Sequence, residues 1–90
     1  GLATTPAPAA AEPFTYFVQV GAYRSAAEAE GQKARMALMG LDAKVSEREQ
    51  AGRTVYRVRL GPFEDKASAE RLHSKLDAAN IDNTIVRIQR

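Results

Sequence analysis

The chain has no cysteine, no tryptophan, a single histidine and no long apolar run. Without cysteine there is no disulfide, no thiol nucleophile and no cysteine-ligated zinc. The redox compartment stays open, because a cysteine-free chain suits an oxidising or a reducing one. One histidine, His73, argues against a multi-histidine metal centre. No stretch approaches the roughly 20 apolar residues that a membrane-spanning helix needs. Neither GxGxxG nor GxxxxGKT spacing occurs, so a phosphate-cradling loop is not expected. The chain opens on Gly1 rather than Met and carries no signal peptide. That is expected of a processed protein or an excised fragment, with any anchor on a segment absent from it.

What is present fits a single domain. At 90 residues, 44% hydrophobic and 27% charged, the chain has the size and balance of one ordinary globular unit. The net charge of +2 is unevenly spread: residues 1–52 hold five Lys/Arg against six Asp/Glu, and residues 53–90 hold eight against five. A weakly basic second half is compatible with an anionic partner. The opening segment, GLATTPAPAAAEP (residues 1–13), is Ala, Pro and Thr with no hydrophobic period. It cannot bury enough surface to offset its ordering entropy and reads as a disordered Pro/Ala linker. The folded domain is expected over residues 14–90.

That domain is an internal repeat. Shifted by 40 residues, it aligns on itself without a gap: Tyr16, Val18, Gly21, Ala27, Ala29, Glu30 and Asp42 meet Tyr56, Val58, Gly61, Ala67, Ala69, Glu70 and Asp82. Two copies are too few for a solenoid and point to one pseudo-symmetric unit with a shared core. Each copy reads strand, helix, strand. Tyr16 to Val20 is aromatic and β-branched, and Gly21 ends it. Ser25 caps a helix over Ala26 to Met39, with Glu28 at capping-box spacing. Gly40 sits where a positive φ is wanted, followed by Leu41 as the hydrophobic contact. The second copy substitutes Asp65, Asn80 and Ile81 in the same roles, around a helix over Lys66 to Ala79. Outer strands are expected from Ala43 to about Glu49 and from Asn83 to about Gln89. A hairpin through Gln50 to Arg53 leads into a third strand, Thr54 to Leu60.

The order is βαββαβ, an α+β split-βαβ sandwich of the ferredoxin or RNP-like kind. It predicts a four-stranded antiparallel sheet with two helices on one face. The first and third strands are central and the other face is open. With Val18, Val20, Tyr56, Val58 and Leu60 turned to the helices, period two leaves Phe17, Gln19, Val55, Arg57 and Arg59 on the open face. The fourth strand has two phases: the repeat turns Ile85 inward, whereas Val86 and Ile88 favour the opposite.

The open face is the candidate site. A Gln amide, Arg forks and an exposed ring suit a polar, extended, partly anionic ligand. A merely solvated sheet is the plain alternative. Tyr23 and Phe63, matched by the repeat, read first as packing residues, with Tyr23 close enough to the ligand edge to stay a candidate. His73 reads as a surface residue. Glu47 and Glu49 lie two apart on an outer strand, and a flat sheet offers no cleft in which paired carboxylates act on a glycosidic bond. No nucleophile–base set or metal set can be assembled, so no enzyme and no cofactor is expected. RNA-recognition modules share the fold outline, but their third strand displays several aromatics, where this chain has TVYRVRL with Tyr56 turned inward. Single-stranded nucleic-acid binding and protein interaction remain the alternative uses of the face.

Phe17-Val-Gln-Val-Gly-Ala-Tyr23 before a Ser-capped helix resembles the opening motif of SPOR domains. Tyr56-Arg-Val-Arg-Leu-Gly-Pro-Phe63 before a second helix is similar to their second motif. The resemblance spans about Phe14 to Arg90, and the chain is similar in particular to the domains that end bacterial cell-division proteins of the FtsN type. It implies a noncatalytic module that binds peptidoglycan glycan strands lacking stem peptides and so brings its parent to the division septum. The implied location is the periplasmic cell envelope, with other divisome or envelope proteins as further partners. Nucleic acid is not expected as a partner, and a membrane only through a segment absent from this chain. Gln19 and Arg57 take the family's binding positions. Ala22 stands where a Ser is common and Val55 where some members have an aromatic, so stacking falls to Phe17 or Tyr23, and Arg59 supports Arg57.

Overall fold

The structure, a computed structural model, describes residues 13–90. The linker assigned to residues 1–13 lies outside them except for Pro13. Six elements follow in the expected order: β1 (Phe14–Tyr23), α1 (Ala26–Leu38), β2 (Lys44–Gln50), β3 (Arg53–Phe63), α2 (Lys66–Ala78) and β4 (Thr84–Gln89). The strands form one antiparallel sheet in the order β2-β3-β1-β4. β1 and β3 are central, as two crossover helices on one face require.

The core follows the internal repeat. Val18 and Val58, Ala29 and Ala69, and Met36 and Leu76 are each pairs 40 apart in sequence, and all six are completely buried. Ala29 and Ala69 carry only a methyl group at the buried face of each helix, where a longer side chain would overpack the interior. Tyr16, Val20, Ala43 and Leu60 complete the buried set, with Tyr23, Tyr56, Phe63 and Ile85 packed around it. Ile85 pairs with Val18 across β4 and β1, which settles the phase of β4. The repeat-based placement holds, and Val86 and Ile88 turn to the open face.

Helix ends are closed as the capping residues dictate. Ser25 Oγ accepts from Ala27 N at 3.1 Å and Glu28 N at 3.3 Å. Asp65 Oδ1 accepts from Ser68 N at 2.7 Å. At the other ends Gly40 (φ +80°) and Asn80 (φ +59°) take the left-handed conformation. This lets Leu41 N reach Met36 O and Ile81 N reach Leu76 O, both at 2.9 Å. These are Schellman closures, and Leu41 and Ile81 supply their hydrophobic contact.

Both central strands run past the glycines expected to end them. Gln19 pairs with Arg59 and Gly21 with Val58, so Val20 is an extra residue in β1. A second irregularity lies where Tyr16 pairs with Phe63 and Val18 with Leu60, the extra residue falling in β3. The register itself obeys the repeat: the Tyr16–Phe63 pair maps by the 40-residue shift onto the Tyr23–Tyr56 pair. A bulge leaves ladder groups unpaired. The Val20 carbonyl is met by the buried Gln32 side chain, whose Nε2 donates to it at 3.1 Å. Gly21 is needed because the Tyr23 ring folds back over it: a Cβ there would fall 2.5 Å from Tyr23 Cε2.

Candidate functional site

The bulge rearranges the open face. Strict alternation from Val20 turns Ala22 inward and Tyr23 outward. With the extra residue, Ala22 pairs with Arg57 and Tyr23 with Tyr56. Directly paired residues share a face, so Ala22 joins Arg57 on the open side and Tyr23 withdraws to the helix side, packed against the core. Tyr23 is therefore at the edge of the core and not on the candidate face. Phe63 takes the matching position.

The other candidates meet as expected. Phe17, Gln19, Val55, Arg57 and Arg59 are all half-buried on the open side of β1 and β3. Arg59 Nε donates to Gln19 Oε1 at 3.1 Å. Its guanidinium carbon lies 5.7 Å from the centre of the Phe17 ring, within cation–π range. This fixes the Gln19 amide: the carbonyl end is occupied and both Nε2 hydrogens are left for a ligand. Arg57 Nη2 donates to Gln50 Oε1 at 3.0 Å, which steadies one arm of its fork. Burial, then the Arg57 and Arg48 guanidiniums, hold Arg59 below the ordinary guanidinium value. Arginine keeps its charge regardless, so the crowding of cations favours an anion over the face.

Sequence reasoning missed the contribution of the outer strands. β2 pairs with β3 in uninterrupted register, Lys44 with Arg59, Ser46 with Arg57, Arg48 with Val55 and Gln50 with Arg53. Those β2 residues therefore share the open face, while Val45, Glu47 and Glu49 take the other. Glu49 accordingly meets Thr54 Oγ1 at 3.4 Å on the helix side. The open face gathers Lys44, Arg48, Arg53, Arg57 and Arg59, and no acidic residue of the described strands faces it. The alternation in KVSEREQ, read through the tight hairpin after it, carried this signal. On the opposite side of the face Phe17 pairs with Val86 and Thr15 with Ile88. The face is thus divided: β2 and β3 are cationic, β1 and β4 are apolar or neutral, and the Gln19–Arg59 bond sits on the seam.

His73 has a local task. Nδ1 lies 2.6 Å from Asn83 Oδ1 and Nε2 lies 3.2 Å from Asp77 Oδ2. Asn83 in turn donates to Asp77 Oδ1 and to Ile81 O, each at 2.9 Å. The network ties the end of α2 to the turn before β4. Among the described residues no group of His, Asp and Glu is placed to hold a metal ion, and no helix is long and apolar enough to cross a membrane.

The fold recurs in known proteins. The SPOR domain family model matches residues 12–87. The chain belongs to the SPOR domain family. Among solved structures this SPOR domain is similar to the SPOR domain of RlpA from Pseudomonas aeruginosa. That match has 27% identity and a TM-score of 0.68, over 79% of this chain and 96% of that one. It is also similar to the peptidoglycan binding domain of the B. subtilis cell wall lytic enzyme CwlC. There the identity is 26% and the TM-score 0.69, over 96% of this chain and 98% of that one. No curated protein matches the chain. The SPOR architecture thus accounts for the βαββαβ order, the open sheet and the two motifs that open the repeats.

Proposed function

We propose that the open face of this SPOR domain binds peptidoglycan, without catalysis, and prefers glycan strands whose stem peptides have been removed. Such binding would place the parent protein in the cell envelope, at the division septum where stripped strands accumulate. The observation that carries the reading is the divided face: a cationic half and an apolar half meeting at an oriented Gln19 amide. A stripped glycan has matching chemistry. Its lactyl carboxylates answer Arg57 and Arg59, the acetamide carbonyls accept from Gln19 Nε2, and the faces and methyls of the sugars lie on Phe17 and Val86. A flat sheet has no slot for a stem peptide, so an intact strand is held off the surface. The peptidoglycan binding of the CwlC domain supports the coarser part of this reading.

Each contact is partly solvated and modest. Gln19→Ala and Arg57→Ala should each weaken binding about 5- to 20-fold, the equivalent of ~1–2 kcal/mol, and leave the fold intact. The test is a pull-down on purified sacculi, with and without amidase treatment, beside single-stranded RNA. Binding that rises after amidase treatment and falls in both variants is expected. Equal binding to both sacculi would overturn the preference for stripped strands. Wild-type binding by both variants would overturn the face. Salt-sensitive binding to RNA alone would overturn the glycan reading altogether.

A further inference from the structure

The internal repeat provides a comparison within one molecule, since each feature of one copy has a counterpart 40 residues away. Features that break the symmetry mark places where the copies have diverged in use. One set of them lies at one edge of the sheet. Beside the β1 bulge, between the end of α1 and the turn before β4, lies a cavity of about 220 Å³ lined by Tyr23, Gln32, Arg35, Asn80 and Asp82 over Val20 and Ile81. The 40-residue shift converts Tyr23 to Phe63, Gln32 to Leu72, Arg35 to Lys75, Asn80 to Gly40 and Asp82 to Asp42. One edge therefore carries a phenol hydroxyl and two amides that the other lacks. The acid of the other edge is also engaged, with Asp42 3.4 Å from Lys44 Nζ.

The polar groups of this cavity are largely unspent. Among the described residues the side chains of Arg35 and Asp82 take part in no ion pair or hydrogen bond, and the Tyr23 hydroxyl has no hydrogen-bond partner. Gln32 gives one N–H to the Val20 carbonyl, which leaves its second N–H and its carbonyl oxygen. The cavity thus brings a cation, an anion and neutral donors and acceptors to one small volume. An anion alone would be repelled by Asp82 and a cation alone by Arg35. Its volume lies below the roughly 300 Å³ at which drug-sized pockets begin, so an occupant has one or two residues. A smaller recess of about 140 Å³, which shares Val20 and Asp82 with it, runs to Gln19 and Thr84 at the rim of the open face.

We propose that this edge cavity is a second binding site, for a short peptide zwitterion whose carboxylate pairs with Arg35 and whose ammonium pairs with Asp82. The Tyr23 hydroxyl and the free end of Gln32 hydrogen-bond the peptide group between them. The site goes beyond glycan binding by the open face and stands without it. Both charges are solvated, so affinity is low, with a Kd on the order of 1 mM.

The test is an NMR titration of the backbone amides with the dipeptide Ala-Ala, its N-acetyl form and its C-terminal amide. Saturable shifts at Tyr23, Gln32, Arg35 and Asp82 are expected with Ala-Ala. Blocking either terminus should raise the Kd about 10-fold or more. Arg35→Gln and Asp82→Asn, both exposed and outside the core, should abolish saturation, while their sacculus binding stays at the wild-type level. Absence of saturation up to about 50 mM, equal binding of the blocked peptides, wild-type binding by either variant, or shifts confined to Gln19 and Arg57 would each overturn the site. Sacculus binding is read separately, so failure here is distinct from failure of the open-face reading.

Discussion

Gln19 shows how a single half-buried side chain acquires a direction. Its carbonyl is held by Arg59 at 3.1 Å, so the amide is oriented with both Nε2 hydrogens free to donate. Opposite Arg57 the face presents a methyl group, Ala22, where a hydroxyl would add both a donor and an acceptor. Ala22 is exposed, so Ala22→Ser should leave thermal stability unchanged and strengthen sacculus binding about 2- to 5-fold, on the scale of one modest hydrogen bond. A second residue-scale expectation concerns Asp65. The Ser68 backbone N–H holds its carboxyl below the ordinary aspartate value. A lowered value means that the folded state favours the ionised form. The stabilisation is fully present above the unfolded value and is lost as pH falls through the folded one. Thermal unfolding of wild type and Asp65→Asn should therefore differ at pH 7 and converge below about pH 4.

At the scale of elements, the helices were legible and the central strands were legible only in part. Capping residues and helix formers act within a few residues of themselves, so Ser25, Asp65, Gly40 and Asn80 announce their roles locally. A bulge is different, because it exists only between two strands. Nothing in the run Gln19-Val-Gly-Ala says that Val20 will be extra, and so period two alone does not give the faces of Ala22 and Tyr23. The clue lay 12 residues on, in a Gln at a position where the repeat has Leu72. Gln32 is there to meet the Val20 carbonyl. Gln32→Leu should destabilise the domain by about 1–3 kcal/mol, since it leaves a buried carbonyl without its donor. Urea denaturation of the two proteins measures this, and an unchanged midpoint would mean that water replaces the amide.

For the molecule as a whole, charge is sorted by face rather than by position in the chain. The sequence suggested a basic second half, yet Lys44 and Arg48 of the first half complete the cationic patch, and Glu47 and Glu49 on either side of Arg48 turn away. Pairing register decides this sorting, and register becomes readable only once the hairpin between β2 and β3 is fixed. The core was legible because each of its largest members appears twice. The two ends of the described chain also meet: Arg90 N donates to Pro13 O at 2.9 Å, and β4 lies antiparallel to β1. A short linker could therefore join these ends, and the hairpin at Ala51–Gly52 could be opened instead. The resulting circular permutant would run β3, α2, β4, β1, α1, β2, which is again βαββαβ. It should keep the circular dichroism spectrum and the sacculus binding of the parent. If it does, the order of the two halves along the chain is an accident of descent, and either half can lead.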